Sequence, residues 1–135
     1  MIMQKKRTIL YVDDDADDRD IFDVALKSVN PEVNIIMAEN GREALEYLQS
    51  ALDNQAGLPC LMVLDINMPV LDGKETFNRV KGDERLQALP VIVFTSSQRP
   101  ADRLLFNSLG VEMITKPSNF VYMNSIANKM LGFCV

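Results

Sequence analysis

Residues 8–14 read Thr-Ile-Leu-Tyr-Val-Asp-Asp, a run of five β-prone residues followed directly by two carboxylates. Four further short runs share its apolar character, namely residues 33–38, 60–64, 91–94 and 111–115. Each shows little alternation of polar and apolar residues, which is typical of strands buried on both faces of a parallel sheet. The sequence therefore predicts five buried strands.

Between the predicted strands, apolar residues recur at helical spacing, which predicts a helix after each strand. The five sets are Ile21, Phe22, Ala25, Leu26 and Val29; Ala44, Leu48, Ala51 and Leu52; Phe77 and Val80; Leu104, Leu105 and Leu109; and Val121, Ile126, Ala127 and Met130. Right-handed crossovers between the strands place helices on both faces of an open sheet. We expect an α/β fold, a doubly wound (βα)5 flavodoxin-like three-layer sandwich with a five-stranded parallel sheet.

Capping residues mark several of the helix boundaries. Asn40, followed three residues later by Glu43, predicts a capped start for the second helix. Pro100 suits the first turn of the fourth helix, and Gly110 suits the position after that helix ends. Ser118 is a candidate cap for the last helix. The connections are short, and we expect residues 1–135 to form one domain.

Composition narrows the class of protein. The chain has 135 residues, of which 47% are apolar and 24% charged, as in globular domains. The longest apolar runs are too short to span a membrane, and residues 1–7 lack the apolar stretch of a signal peptide, which favours a cytoplasmic location. Cys60 and Cys134 fit no metal-binding spacing, so we expect both to be reduced core residues.

Three features exclude whole classes of chemistry. The chain has no histidine, which removes Ser-His-Asp catalysis and most zinc sites. Its six glycines form neither a dinucleotide fingerprint nor a Walker phosphate loop. The net charge is 14 − 19 = −5, and residues 13–23 carry seven aspartates and one arginine, or −6. The remainder is close to neutral, so no basic patch points to nucleic acid.

Polar residues stand where the predicted strands end. Asp13 and Asp14 follow the first strand, Asp65 the third, Thr95 the fourth and Lys116 the fifth. Ligands of open α/β sheets bind beyond these carboxyl ends. Two carboxylates about 4 Å apart repel by about 4 kcal/mol at an effective dielectric of 20, so three of them favour a bound cation. Oxygen ligands without His or Cys favour Mg²⁺, with Mn²⁺ as the close alternative.

The site also carries the groups that phosphoryl transfer needs. One carboxylate can attack phosphorus and form an aspartyl phosphate. Lys116 can neutralise one phosphoryl oxygen, and Thr95 can hydrogen-bond another. We interpret the remaining aspartates of the acidic run as helix-dipole partners or solvated surface; they are Asp15, Asp17, Asp18, Asp20 and Asp23. A cis Lys116–Pro117 bond would aim the lysine inward.

These motifs resemble the receiver domain of two-component response regulators. The matching segments are Val-Asp-Asp at 12–14, Leu-Asp-Ile-Asn-Met-Pro-Val-Leu-Asp-Gly at 64–73, Phe-Thr-Ser at 94–96 and Lys-Pro at 116–117, in this order along nearly the whole chain. The sequence stops just after the last predicted helix, so we expect no effector domain in this chain; it would act alone through protein contacts, as a phosphorelay intermediate, or as a fragment of a longer protein. The resemblance also implies a phosphoryl donor, the phosphohistidine of a sensor histidine kinase or histidine phosphotransfer protein, and an unknown downstream protein. Neither nucleic acid nor membrane is an expected partner.

The resemblance assigns a role to each site residue. Asp65 is the phosphoacceptor, Thr95 the switch hydroxyl and Lys116 the phosphate-contacting lysine. Mg²⁺ or Mn²⁺ is held by Asp13, Asp14, Asp65 and the backbone carbonyl of Asn67. Phosphorylation then changes the face formed by the fourth helix, fifth strand and fifth helix, through which family members often form homodimers. Met113 stands where an aromatic switch residue is usual, so an aromatic coupling mechanism is not carried over.

Three alternative functions fit part of the sequence pattern. A magnesium-dependent phosphohydrolase with an aspartyl nucleophile carries a second acid two residues later, where this chain has Asn67, so turnover catalysis is disfavoured. A flavodoxin-like FMN carrier is disfavoured because the acidic run would repel the phosphate. A pseudo-receiver would dock partners without phosphorylation, and the complete set of acids and lysine argues against it. We expect a signalling switch that catalyses only its own phosphorylation and dephosphorylation.

Overall fold

A computed structural model describes residues 7–134 as one parallel sheet flanked by helices. Residues 1–6, on which the signal-peptide argument rests, and Val135 lie outside the described residues. The strands are β1 (Thr8–Val12), β2 (Asn34–Ala38), β3 (Leu61–Leu64), β4 (Val91–Thr95) and β5 (Glu112–Thr115). Their order in the sheet is β2-β1-β3-β4-β5, and every neighbouring pair is parallel. The predicted sheet is confirmed, and each strand end lies within one residue of its prediction.

Five helices follow the strands in alternation, as predicted. They are α1 (Ala16–Val29), α2 (Gly41–Asp53), α3 (Gly73–Gly82), α4 (Pro100–Ser108) and α5 (Met123–Leu131), and a 3₁₀ turn (Phe120–Tyr122) precedes α5. Within the described part of the chain, no helix has both the length and the apolar character needed to cross a membrane.

Most of the predicted helix boundaries are confirmed. The Asn40 side chain accepts a hydrogen bond from the Glu43 N–H at 3.0 Å and caps α2. Pro100 begins α4, and Gly110 follows it with φ +70°, a left-handed conformation that glycine adopts without steric cost. The prediction for Ser118 was wrong, because the neighbouring Asn119 side chain caps the 3₁₀ turn and α5 begins only at Met123. Serine and asparagine are comparable caps, so the sequence does not rank these neighbours.

The two faces of the sheet are covered by different helices, and each face has its own core cluster. On β1, Ile9 and Tyr11 belong to the cluster formed with α1 and α5, whereas Leu10 and Val12 belong to the cluster formed with α2, α3 and α4. All four side chains are buried. Each large side chain of this kind stabilises the fold by roughly 1.5–3 kcal/mol, so the strand ends that carry the site are firmly held.

The two cysteines contradict the expectation that both are reduced. The structure joins Cys60 and Cys134 in a disulfide, with a Cα–Cα distance of 4.9 Å that lies within the usual range. Cys134 is buried in the core cluster of α1 and α5, and Cys60 directly precedes β3. The two cysteines are 74 positions apart in the sequence, so no local pattern indicates this contact; it forms because the chain after α5 returns to the start of β3.

Candidate functional site

Asp13 lies directly after β1 and is held by hydrogen bonds on both carboxylate oxygens. Its side chain is completely buried, and its backbone N–H donates to the Ala38 carbonyl at 3.0 Å, which extends the ladder to β2. Oδ1 accepts from the Asp15 N–H at 3.0 Å, and Oδ2 accepts from the Tyr11 hydroxyl at 2.9 Å. Asp13 is therefore a pre-oriented carboxylate at the edge of the sheet.

Tyr11 supports Asp13 from within the core. Its ring stacks on Phe22 of α1 at 4.0 Å between centroids. Burial first, and then the charge and hydrogen bond of Asp13, raise the pKa of the Tyr11 hydroxyl above its ordinary value. The hydroxyl consequently stays protonated and acts as a donor to Asp13. The sequence prediction treated Tyr11 only as a strand residue, and its position two residues before Asp13, on the same face of β1, was the available signal.

Asp65 lies directly after β3, beside Asp13. Its backbone N–H donates to the Val12 carbonyl at 3.0 Å, which brings the two strand ends together. Oδ1 accepts from the Ile66 N–H at 2.7 Å, and the residue is only 7% exposed. A Cβ atom on Gly73 would overlap the backbone carbonyl oxygen of Asp65, so only glycine lets α3 begin this close to the carboxylate.

Asp13, Asp14 and Asp65 together offer a site for a cation. Each contributes a carboxylate oxygen, and these atoms all lie within 4.8 Å of one another. The exposed side chain of Asp14 gives this cluster access to solvent. The backbone carbonyl of Asn67 accepts no hydrogen bond from the other described residues, so its lone pairs are available. A set of oxygen ligands only fits Mg²⁺ or Mn²⁺, and the residues present therefore fit the predicted ion.

Lys116 reaches the same cluster from the end of β5. Its ammonium donates to Asp13 Oδ2 at 2.7 Å, to Asp18 Oδ2 at 2.9 Å and to Asp65 Oδ2 at 3.0 Å. Burial alone lowers the pKa of the lysine, but the hydrogen bonds to Asp13 and Asp18 and the charge of Asp65 outweigh it and raise that pKa. Lys116 is therefore a fixed positive charge. Its bond to Pro117 is trans, contrary to the cis bond considered from the sequence.

Asp18 was interpreted as a helix-dipole partner or solvated surface; its place in the first turn of α1 agrees with the former, but the interpretation missed its contact with Lys116. It lies in the first turn of α1, whose N-cap Asp15 accepts hydrogen bonds from the N–H groups of Asp17 and Asp18. Its side chain points back to the sheet edge, where it meets Lys116. A signal was present, because Asp18 precedes Ile21 and Phe22 by three and four residues and so lies on the apolar stripe of α1.

Thr95 ends β4 at the same edge of the sheet. It is buried, and its hydroxyl oxygen accepts a hydrogen bond from the Ser97 N–H at 3.1 Å. The Ser97 hydroxyl donates to Asp102 Oδ2 at 2.8 Å, and Lys74 Nζ lies 2.7 Å from Asp102 Oδ1. The hydrogen bond from Lys74 is the main cause that lowers the pKa of the fully buried Asp102, against the effect of its burial. A series of polar contacts through Ser97, Asp102 and Lys74 thus connects Thr95 to α4 and α3. The sequence alone did not predict these contacts.

Comparison with known proteins agrees with this geometry. A family profile described as response regulator receiver domain matches residues 9–127, and the chain belongs to this family. Residues 9–127 therefore form a receiver domain, the kind of domain that serves phosphorylation-dependent two-component signalling, as predicted. Receiver domains bind a divalent metal, which the acidic cluster fits.

One curated relative shows how receiver domains occur within longer proteins. The protein-glutamate methylesterase/protein-glutamine glutaminase 1 of Syntrophomonas wolfei subsp. wolfei is 34% identical over 128 residues, which cover 92% of this chain. The same match covers 34% of that relative. This chain thus spans about a third of its length, and the similarity concerns the shared segment alone.

Two solved structures align with nearly the whole chain. The phosphorylated cyanobacterial phytochrome response regulator RcpA has a TM-score of 0.85 at 28% identity, covering 96% of this chain and 94% of its own. The Mn²⁺-bound form of response regulator Rcp1 has a TM-score of 0.81 at 27% identity, covering 94% of this chain and 93% of its own. The predicted flavodoxin-like receiver fold is confirmed.

Proposed function

We propose that Asp65 is the phosphoacceptor and that it receives the phosphoryl group from the phosphohistidine of a sensor histidine kinase or a histidine phosphotransfer protein. One observation carries this assignment: Asp65 Oδ2 lies 3.0 Å from the Lys116 ammonium while its carboxylate belongs to the cluster with Asp13 and Asp14. A nucleophilic oxygen, a fixed positive charge and two further acids for a cation thus meet at one point. Phosphoryl transfer needs mainly this positioning and charge neutralisation.

The chemical step uses groups of known position. A carboxylate oxygen of Asp65 attacks phosphorus, the bond from phosphorus to the donor's imidazole nitrogen breaks, and the electron pair stays on that nitrogen. Lys116 stabilises the charge on the phosphoryl oxygens, and the Thr95 hydroxyl donates to one of them after leaving the Ser97 N–H. In dephosphorylation, water attacks phosphorus, and the bond to Asp65 breaks to restore the carboxylate and release phosphate.

Asp13, Asp14, Asp65 and the backbone carbonyl of Asn67 would hold the divalent cation, which we propose is Mg²⁺. When bound, it would neutralise the carboxylates and the phosphoryl oxygens that gather at the site. The Mn²⁺-bound Rcp1 structure supports a divalent ion in a domain of this fold. Neither Asp13 nor Asp65 has to reorganise its backbone for this role, because both N–H groups are already bonded to neighbouring strands.

Several further properties belong to this proposal. We propose that the chain is a binding switch and not a turnover enzyme, because Asn67 replaces the second acid of the aspartyl phosphohydrolases. Its output is a changed contact with a downstream protein, and homodimer formation through α4, β5 and α5 is one candidate. Met113 is only partly buried against the core cluster of α2, α3 and α4, so we expect coupling through general packing. We place the protein in the cytoplasm, where the Cys60–Cys134 pair would meet reducing conditions.

The test is intact-mass spectrometry after incubation with Mg²⁺ and acetyl phosphate. We expect a base-labile phosphate on the native chain and none on the Asp65→Asn variant. The matched control is Asp72→Asn in the same loop, since Asp72 caps α3 and asparagine is an equally good cap. Phosphate on the Asp65→Asn variant would contradict the assignment. A folded native chain that forms no adduct and binds no beryllofluoride would instead support the pseudo-receiver alternative.

A further inference from the structure

The three partners of Lys116 differ in what else they must do. Each N–H of the ammonium has one carboxylate acceptor, at 2.7 Å for Asp13, 2.9 Å for Asp18 and 3.0 Å for Asp65. Under the proposed function, Asp13 turns to the cation and Asp65 becomes bonded to phosphorus. Asp18 has neither of these roles, because it does not belong to the cluster of three acids whose carboxylate oxygens lie within 4.8 Å of one another. It alone can stay on the lysine while the other two partners are engaged.

Asp18 lies in the first turn of α1, which is held firmly in place. Its helix is fixed by the Asp15 cap, whose Oδ1 accepts from the Asp18 N–H at 3.2 Å. One turn further along, Phe22 is fully buried and stacks on Tyr11. The acceptor oxygen of Asp18 is therefore held in place relative to the sheet edge.

Lys116 needs such a support at its charged end. The backbone N–H of Lys116 donates to the Thr95 carbonyl at 2.9 Å, which fixes the base of the side chain. Four flexible methylene groups separate this base from the ammonium. The side chain is only 12% exposed, so an ammonium that lost its partners would have little water to solvate it inside the site.

We infer that Asp18 is a positioning residue that holds the Lys116 ammonium beside Asp65 throughout the phosphorylation cycle. This inference rests on the proposed function, in which Lys116 contacts the incoming phosphoryl group. Asp18 touches neither the phosphorus nor the nucleophile and acts only through the lysine. A misplacement of a catalytic group by about 1 Å costs up to about a hundredfold in rate, so loss of this contact has a measurable effect.

The experiment compares Asp18→Ala and Asp18→Asn with Asp17→Ala. Asp17 is the matched control, since it is exposed in the same helical turn and its side chain makes no hydrogen bond or ion pair among residues 7–134. Both alanine variants lose one negative charge and gain a good helix former. The asparagine variant also loses the charge but keeps an oxygen that accepts from Lys116. The readout is the rate constant of Mg²⁺-dependent adduct formation with acetyl phosphate, beside the thermal unfolding midpoint.

We expect Asp18→Ala to react about tenfold more slowly than Asp17→Ala, and Asp18→Asn to recover most of the native rate. A role limited to stability would shift the unfolding midpoint without separating these rates. Equal rates for Asp18→Ala and Asp17→Ala would overturn the inference, as would equal losses in Asp18→Ala and Asp18→Asn. A folded native chain that forms no adduct and binds no beryllofluoride would overturn the proposed function itself, so the two failures are distinguishable.

Discussion

Replacing Lys74 by methionine removes the ion-pair partner of a buried carboxylate, Asp102. Asp102 has no exposed surface, and within residues 7–134 its Oδ1 has no partner other than the ion pair with Lys74 at 2.7 Å. Its Oδ2 keeps the hydrogen bond from Ser97 at 2.8 Å. Breaking a buried ion pair from one side typically costs about 3–5 kcal/mol. Because the Lys74 side chain is 35% exposed, water relieves part of the penalty, and we expect a loss of about 2 kcal/mol.

This loss depends on pH in a defined direction. In the native chain the pKa of Asp102 is lowered, mainly by the hydrogen bond from Lys74, so its stabilising contribution is present above the pKa of the unfolded chain. That contribution disappears as the pH falls through the lowered folded pKa. Without Lys74, the effect of burial, which raises the pKa, is opposed only by the Ser97 hydrogen bond and the charge of Arg99, so we expect the carboxyl to become neutral at a higher pH than in the native chain. The difference in stability between the native chain and the variant is therefore largest near pH 7 and shrinks towards about pH 4.

Urea unfolding followed by far-ultraviolet circular dichroism measures this difference. The double variant Lys74→Met/Asp102→Asn is the control, since it removes both charges and should recover most of the loss. At this chain length, about 2 kcal/mol corresponds to a fall of roughly 8 °C in the unfolding midpoint. A loss below about 0.5 kcal/mol near pH 7, or an equal loss near pH 4, would refute the reasoning.

Three further predictions concern other positions. Val70 is 71% exposed and has φ +70°, a left-handed conformation that is unfavourable for a β-branched residue and easier for asparagine. Val70→Asn should therefore raise the free energy of unfolding, measured by thermal unfolding, by about 1 kcal/mol. A decrease would show that the valine side chain stabilises the loop. Tyr11→Phe keeps the aromatic ring but removes the hydroxyl that donates to Asp13. Calorimetric titration should therefore show that Mg²⁺ binds about tenfold more weakly. An unchanged affinity would contradict the supporting role of the hydroxyl. Thiol titration of the denatured chain without reductant should find no free thiol, as expected from the Cys60–Cys134 bond. Cys134→Ser should then cost up to about 4 kcal/mol without reductant and much less with it, since the closed loop is long.

The fold was predictable because each strand can be recognised from its own short stretch of sequence. The segments that became β1 and β3 are short, apolar and followed by a carboxylate, and parallel order brings such ends together without further information. The principal acids and Lys116 were predictable for the same reason. They occupy the first or second position after a strand, so their meeting depends on topology and not on the detailed path of a loop.

Apart from Tyr11 on β1 and Ser97 after β4, the residues that were missed lie on helices or near the chain terminus. Asp18 and Asp102 belong to α1 and α4, and their partners depend on how each helix is placed against the sheet. Local sequence does not specify that placement to the precision of a hydrogen bond. The Cys60–Cys134 contact depends on where the chain travels after α5, and a separation of 74 residues leaves no local trace of it.

The residues of the candidate site follow strands that differ in how many neighbouring strands they pair with. β1 and β3, which end in Asp13 and Asp65, are each paired on both sides, so moving either one means opening two ladders. Among the strands of residues 7–134, β5 pairs only with β4, and Lys116 directly follows it. Displacing β5 costs a single row of hydrogen bonds. The proposed phosphoacceptor Asp65 and the carboxylate Asp13 thus follow strands that are paired on both sides, while Lys116 follows an edge strand that is easier to displace.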